Sequence, residues 1–150
     1  MNKQYLYERD SGGIADPELF ETLKAAVSDC GRLKRVLLIV PDYTRFHSDA
    51  GKIANFYYHL FESGSEVDLL EALGTHVAMT KEECASMYGD IPFERFIPHD
   101  WRNGVEKIGE VPADFVKEVS EGIMDQPVPV SLDRRLSSGY DLILSIGQVV

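Results

Sequence analysis

Polar side chains with acid–base or anion-binding chemistry follow two short apolar runs of the sequence, and they are Asp42, Thr44, Arg45 and His76. The runs, 35–40 and 67–73, are each bounded by Gly or Pro, which is typical of buried strands rather than helices. In an open parallel sheet the ligand crevice lies outside the carboxyl ends of the strands. The placement of these side chains therefore predicts a small-molecule site.

Each candidate has a chemical role and a plainer alternative. The planar guanidinium of Arg45 suits a carboxylate or phosphate, although a surface ion pair is the alternative. An imidazole exchanges a proton near neutral pH, which makes His76 a candidate acid–base group, although lone histidines are more often structural or exposed. Asp42 can orient a neighbour or bind a hydroxyl, or it can cap a turn. Thr44 can contact a ligand phosphate through its hydroxyl, or serve the same turn.

The other histidines and the familiar motifs add little. His47 and His99 are weaker candidates, and His59 is expected to be structural or solvated. The sequence contains no GxGxxG, GxxxxGK[ST], GxSxG or HExxH motif. His76, Cys84 and His99 do not have the spacing of a metal site, so no metal ligands are predicted within this chain.

Composition limits the class of protein. The 150 residues suffice for one domain with a real core, and 44% hydrophobic and 27% charged residues are ordinary for a soluble protein. A formal net charge of −10 argues against nucleic-acid partners and against anionic membrane surfaces. Two isolated cysteines indicate a reducing compartment. With no apolar stretch long enough to span a bilayer, the expected location is the cytoplasm.

The hydrophobic patterns predict an α/β fold, a Rossmann-like parallel sheet with helices on both faces. The predicted strands are 36–40, 67–73 and 141–146, with a weaker strand within 93–98. The predicted helices are 17–30 with Asp16 as N-cap, 51–63 introduced by Ser48 and Asp49, and a short one opened by a capping box at Thr80. The stretch 102–138 is ambiguous apart from an extended segment at 127–130.

The end of the chain is also informative. Val150 follows closely after the final predicted strand, where a strand-end loop should begin. By analogy with the two earlier strands, that loop should also carry site residues. The sequence therefore predicts a chain truncated within its site.

Several motifs together resemble the N-terminal domain of the nickel-dependent lactate racemases, over about residues 36–150. The motifs are Pro41-Asp42-Tyr43-Thr44-Arg45, Leu73-Gly74-Thr75-His76, Met79-Thr80-Lys81-Glu82-Glu83, His99-Asp100-Trp101 and the closing run Asp141–Gly147. The paired Asp-x-Thr-Arg and Gly-Thr-His motifs are the specific part of the resemblance. It implies that residues 1–150 form the N-terminal α/β domain, or a fragment of it, and that the C-terminal part is not present.

The resemblance implies a racemase or epimerase of 2-hydroxy acids that uses a nickel-pincer nucleotide. In that chemistry one histidine takes the hydroxyl proton while the α-hydrogen passes to the cofactor as hydride, and the keto acid is then reduced on its other face. By the motifs, His76 resembles one of two acid–base histidines, Arg45 the arginine that grips the substrate carboxylate, and Asp42 the acidic residue that supports the site. The second histidine, the cofactor-linking lysine and the nickel-binding histidine belong to later segments, so the isolated chain is expected to be inactive.

One departure and two alternatives remain. Phe46-His47-Ser48 stands where the lactate enzymes tend to have a proline-containing stretch, so a larger or more polar hydroxy acid is the alternative to lactate. A second hypothesis is a module that binds a nucleotide or anion without catalysis. A third is a structural domain in which Asp42 and Arg45 pair with each other, away from any cleft. The oligomeric state is left open.

Overall fold

The computed structural model describes Leu6, Glu8 and residues 12–148. Helices and strands alternate through the first half of this part, and a hairpin interrupted by a short helix follows. The elements are α1 (Asp16–Ala26), β1 (Arg35–Val40), α2 (Ala50–Phe61), β2 (Glu66–Glu71), α3 (Lys81–Tyr88), β3 (Phe96–Pro98), β4 (Val105–Val111), α4 (Ala113–Val119), β5 (Val128–Asp133) and β6 (Leu142–Ser145).

Within the described residues, four strands form a parallel sheet in the order β3-β2-β1-β6. β1 runs through its centre, and Val36, Leu37 and Leu38 are fully buried because strands lie on both sides and side chains cover both faces. This arrangement confirms the predicted α/β, Rossmann-like parallel sheet.

The order of the strands creates a point where the direction of the chain reverses. From β1 the chain adds β2 and then β3 toward one edge, and it later returns to place β6 on the other side of β1. In open α/β sheets the ligand crevice forms at such a reversal, outside the carboxyl ends of the strands. The topology therefore favours a site beyond the ends of β1 and its neighbours.

One face of the sheet packs against α1, α2 and α3. Val36, Leu38 and Val40 of β1 share one buried cluster with Tyr57 of α2 and Tyr88 of α3. These strand residues alternate along β1, as expected for side chains that point to the same face. The helical layer is thus the main core, and its α3 end lies beneath the loops that leave β1 and β2.

The helices fit one another closely. The rings of Phe20 in α1 and Phe56 in α2 stack with their centroids 4.7 Å apart. Gly51 lets α3 approach α2, since a Cβ at this position would lie 2.0 Å from the carbonyl oxygen of Met87. Any side chain at position 51 would therefore push α3 away from its place under the sheet edge.

The opposite face of the sheet borders the hairpin region. β4 and β5 pair antiparallel, and a 3-10 helix, Arg134–Ser137, follows β5. Leu132 and Leu136 line a small cavity together with Ile39 and Leu70 of the sheet. The extended segment predicted at 127–130 is confirmed as part of β5, whereas the pairing of β4 with β5 was not predicted.

Several predicted boundaries are wrong. β2 ends at Glu71 because the chain turns at the next residues, where the Leu73 amide bonds the Glu71 carbonyl. α1 ends at Ala26, before the predicted stop at residue 30, because Val27 leaves helical geometry with φ −108°. The segment 93–98 begins as a 3-10 helix, and its strand is limited to Phe96–Pro98.

The predicted N-caps are also wrong in part. Ala15, not Asp16, caps α1; Asp16 lies in the first turn, and its carboxylate accepts a hydrogen bond from Lys52. The capping box at Thr80 and Glu83 is confirmed at the start of α3. In the part of the chain that the structure describes, the helices are all too short or too polar to cross a membrane.

Candidate functional site

A cleft of about 450 Å³ lies at the carboxyl edge of the sheet. Its walls come from the segments that follow the central strands: 41–45 after β1, 72–76 after β2, and 145–148 at the end of β6. The structure brings Asp42, Thr44, Arg45 and His76 together in this one cleft. The cleft is thus bordered by the carboxyl ends of three neighbouring strands.

Asp42 and His76 form the central pair of the cleft. The Nδ1 atom of His76 lies 2.6 Å from Oδ2 of Asp42. The other carboxylate oxygen, Oδ1, accepts hydrogen bonds from the Thr44 amide at 2.8 Å and from the Thr44 hydroxyl at 2.5 Å. Because an ionised carboxylate only accepts, Nδ1 carries a proton, and in the neutral imidazole Nε2 then has the free lone pair. The imidazole is thereby fixed in one tautomer.

The two members of the pair differ in exposure. The Asp42 side chain is 9% exposed, whereas the His76 ring is 53% exposed. Burial alone would raise the pKa of Asp42, but the hydrogen bonds from Thr44 and His76 outweigh it and hold this pKa below its ordinary value. The pair therefore combines a buried, ionised anchor with an imidazole that reaches the solvent of the cleft.

Arg45 lies on the rim of the same cleft, within the 3-10 helix Tyr43–Ser48. Its Nη1 donates to the Thr44 hydroxyl at 3.3 Å, and that hydroxyl donates in turn to Asp42. The Arg45 guanidinium makes no ion pair with Asp42, whose carboxylate is taken by Thr44 and His76. This geometry contradicts the third hypothesis, which required an Asp42–Arg45 pair.

The loop after β2 places His76 through a tight turn. Gly74 adopts φ +58°, which a residue without Cβ tolerates best, and the His76 amide bonds the Leu73 carbonyl at 2.9 Å. The Met79 amide, three residues further on, donates to the carboxyl of Glu71 at 3.1 Å. The loop is thus fixed to the end of β2 on both sides of His76.

The loop after β1 is held from below by α3. The hydroxyl of Tyr88, a buried residue at the end of α3, donates to the carbonyl of Pro41. A further bond, from the Ala72 amide to the Val40 carbonyl at 2.7 Å, ties the two loops where they leave the sheet. Neither Glu71 nor Tyr88 was predicted as part of the site, although a glutamate inside an apolar strand run was the available signal for Glu71.

The remaining histidines lie elsewhere. His47 does not line the cleft. His59 faces Glu62 and Asp90, whose hydrogen bonds raise its pKa, beside a groove between the helices. His99 pairs through Nδ1 with the buried carboxylate of Asp133 at 2.9 Å. That partnership could not be foreseen, because Asp133 lies in the stretch whose structure the sequence left ambiguous.

The part of the chain that the structure describes contains no group of three or more His, Cys, Asp or Glu side chains placed to hold a metal ion. The polar groups that line the cleft include the imidazole of His76, the hydroxyl of Thr44 and the guanidinium of Arg45. An imidazole beside a cationic fork is suited to a small anionic ligand that also offers an exchangeable proton.

Comparison with known proteins finds a family model and solved structures that match this chain. The model of the lactate racemase N-terminal domain family matches residues 14–132. A crystal structure of a protein from Thermotoga maritima, determined by a structural genomics consortium, is 33% identical to this chain with a TM-score of 0.78, and the match covers 88% of this chain. The chain spans 33% of that protein's length. No functionally curated protein matches the chain.

Proposed function

We propose a racemase or epimerase function, because the chain belongs to the lactate racemase N-terminal domain family. Its cleft would be the substrate-binding part of an enzyme that acts at C2 of a 2-hydroxy acid. The complete gene product would be the active form, since the chain corresponds to a third of the length of its Thermotoga maritima relative. The observation that carries the proposal is the Asp42–His76 pair, placed in one cleft with Arg45.

His76 is the proposed acid–base residue. With Nδ1 donating to Asp42, Nε2 is left to accept the hydroxyl proton of a substrate and to return it later. The ionised Asp42 stabilises the imidazolium that forms when His76 holds that proton. The half-exposed ring gives Nε2 access to a ligand in the cleft.

Arg45 is the proposed partner of the substrate carboxylate. Its guanidinium offers several donors in a planar fork, of which the contact to Thr44 uses one. A carboxylate bound there would place the adjacent C2 hydroxyl toward the His76 side of the same cleft. The two side chains would thus bind opposite ends of one small hydroxy acid.

The proposed cofactor is a nickel-pincer nucleotide, which when bound would accept the α-hydrogen as hydride and give it back. The cleft residues fit only part of such a group. Thr44 and Arg45 could contact an anionic portion, but the described residues offer no cluster that would ligate nickel. The proposal therefore assigns no nickel ligand to this chain and leaves the metal to the cofactor and to residues outside it.

The test is racemisation of a panel of 2-hydroxy acids by the complete gene product, followed by chiral chromatography. We expect the protein to interconvert at least one pair of enantiomers, and we expect His76→Ala to lose this racemase activity. His59→Ala is the matched control, because His59 is also an exposed histidine paired with carboxylates but lies outside the cleft. Binding of hydroxy acids or nucleotides with no racemisation of any of them would instead support the non-catalytic binding module.

A further inference from the structure

We propose that Glu71 is a positioning residue that holds His76 within reach of Asp42, and that it does so as a neutral hydrogen-bond acceptor. The family resemblance assigns no role to Glu71. The proposal concerns the geometry of the Asp42–His76 pair, and only its consequence for turnover rests on the proposed function.

The position of Glu71 is unusual for a charged residue type. It is the last residue of β2, pairs in register with Val40 of β1, and is 1% exposed. Glutamate is almost never buried to this degree without a partner. Its Oε2 accepts a hydrogen bond from the amide of Met79, which is itself buried. The carboxyl therefore reaches across the turn and bonds the backbone on its far side.

This contact closes the loop that carries His76. The loop leaves β2 at Glu71, turns at Gly74, exposes His76, and returns to the Glu71 side chain at Met79. The next residue, Thr80, begins α3 with its capping box. Without the bond to Glu71, the segment between Gly74 and Thr80 would lose the buried hydrogen bond that holds it after His76. The 2.6 Å contact between His76 and Asp42 would then no longer be held.

The surroundings of Glu71 favour its neutral form. Asp42 faces it from the end of β1, and Glu83, Cys84 and Tyr88 face it from α3. Burial raises the pKa of Glu71, and the negative charges of Asp42 and Glu83 raise it further, against the opposing effect of the Met79 amide. A neutral carboxyl still accepts a hydrogen bond, and it leaves Asp42 as the ionised partner of His76.

The experiment compares two variants of Glu71. Glu71→Gln keeps an uncharged hydrogen-bond acceptor, whereas Glu71→Met keeps the length of the side chain but removes the acceptor. NMR of the intact chain follows the Nδ1 proton of His76, whose resonance reports the bond to Asp42. We expect Glu71→Gln to retain this downfield resonance and Glu71→Met to lose it. Glu83→Gln is the matched control, because it removes a neighbouring carboxylate while keeping an acceptor for the capping box. Persistence of the resonance in Glu71→Met, or its loss in Glu71→Gln, would overturn the proposal.

A second measurement does not depend on the fold of Glu71→Met. In the parent protein the Met79 amide resonance should shift with pH as Glu71 titrates, and the shift should vanish in Glu71→Gln while remaining in Glu83→Gln. A Met79 shift that survives in Glu71→Gln would contradict the contact.

In the complete gene product, Glu71→Met should lower kcat by about 10²-fold, because small misplacements of reacting groups cost this much. Glu71→Gln should retain most of the parent kcat. Retention of the NMR result without any racemase activity would count against the proposed function alone.

Discussion

The described part of the chain contains two histidine–aspartate pairs built on the same contact but in different settings. His76 meets Asp42 at 2.6 Å and His99 meets Asp133 at 2.9 Å, each through Nδ1 and each with a buried carboxylate. The His76 ring is 53% exposed in a cleft of about 450 Å³, whereas the His99 ring is 21% exposed beside a cavity of about 190 Å³.

The other partners of each carboxylate explain the difference. Asp42 is completed by Thr44, a neutral group, so the neighbouring Arg45 keeps most of its donors for a ligand. Asp133 is completed by Arg135, which bonds it through both the backbone amide and the guanidinium. Beside the first pair the guanidinium of Arg45 is available to a ligand, whereas beside the second the guanidinium of Arg135 is bound to Asp133.

The two pairs also join different elements. Asp42 and His76 follow adjacent strands of one sheet, so their contact lies at an edge whose strands are already held together by the pairing of β1 with β2. His99 follows β3, whereas Asp133 ends β5, so their contact attaches the hairpin region to the sheet. We interpret the first pair as functional and the second as structural.

The largest expected effect separates the two pairs directly. In the complete gene product, His76→Ala should lower kcat for hydroxy-acid racemisation by roughly 10²–10⁴-fold, the usual contribution of an acid–base residue. His99→Ala should leave the chemical step in place and lower the free energy of unfolding, because the buried Asp133 carboxylate loses a hydrogen bond. Steady-state kinetics and urea unfolding of both variants make the comparison.

The opposite pattern would contradict this interpretation. If His99→Ala abolished turnover while the protein stayed folded, the pair with Asp133 would belong to the chemistry. If His76→Ala retained full turnover on a substrate that the parent accepts, His76 would be removed from the mechanism.

The next effect concerns Arg45, the arginine beside the Asp42–His76 pair. Arg45→Lys should raise KM by roughly 10- to 100-fold, since hydrogen bonds to charged groups contribute about 1.5–3 kcal/mol and a point charge replaces a fork. The matched control is Arg32→Lys, because Arg32 is exposed near the start of β1, at the opposite edge of the sheet. An unchanged KM in Arg45→Lys across the substrate panel would argue against a carboxylate grip at this position.

The sequence indicated that Asp42 and His76 lie around one cleft, whereas it gave no sign that His99 and Asp133 meet. Both Asp42 and His76 come just after apolar strand runs, and parallel strands bring such ends to one edge, so local pattern and topology sufficed. Asp133 ends the second strand of a hairpin whose paired residues are 17 to 28 positions apart in the sequence, from Val111 with Val128 to Val105 with Asp133. No local periodicity encodes such a pairing, which depends on tertiary contacts.

The sequence also could not show how the loops are held. The apolar run 67–73 indicated a strand through Leu73, but the chain turns directly after Glu71, where the Leu73 amide donates to the Glu71 carbonyl. The hydroxyl of Tyr88 reaches the Pro41 carbonyl only because Gly51 lets α3 pack closely on α2. The contacts of α3 with Pro41 and Gly51 join residues that are far apart in sequence, so they follow from packing rather than from pattern.

A smaller effect should appear in the pH dependence of stability. The pKa of Glu71 in the folded protein lies above its ordinary value of 4.5. Its stabilising contribution is therefore fully present below pH 4.5 and is lost as the pH rises through the raised folded pKa. Glu71→Gln cannot ionise, so its free energy of unfolding should exceed that of the parent at neutral pH, by about 1–3 kcal/mol for a buried polar group.

Urea unfolding of parent and variant between pH 4 and pH 8 measures this difference. The buried Asp42 carboxylate acts in the opposite sense: its lowered pKa contributes stability above 3.8, which is lost as the pH falls through the folded value. A stability difference that stays constant over the whole range would mean that Glu71 does not change its charge there.

The smallest expected effect tests whether α3 supports one pair and not the other. Tyr88→Phe removes the hydroxyl that bonds the Pro41 carbonyl and should cost about 0.5–1.5 kcal/mol of stability, the usual net value of one hydrogen bond. Tyr140→Phe is the matched control, because its hydroxyl bonds Asp68 within the sheet and away from the cleft. Both variants should lose similar stability in urea unfolding, but only Tyr88→Phe should shift the ring resonances of His76, since Pro41 directly precedes Asp42.

The ring resonances of His99 should stay in place in Tyr88→Phe, because its partner Asp133 is held by Arg135 rather than by α3. Equal shifts of both histidines would show that the two pairs are mechanically coupled, and the division between a functional and a structural pair would then fail.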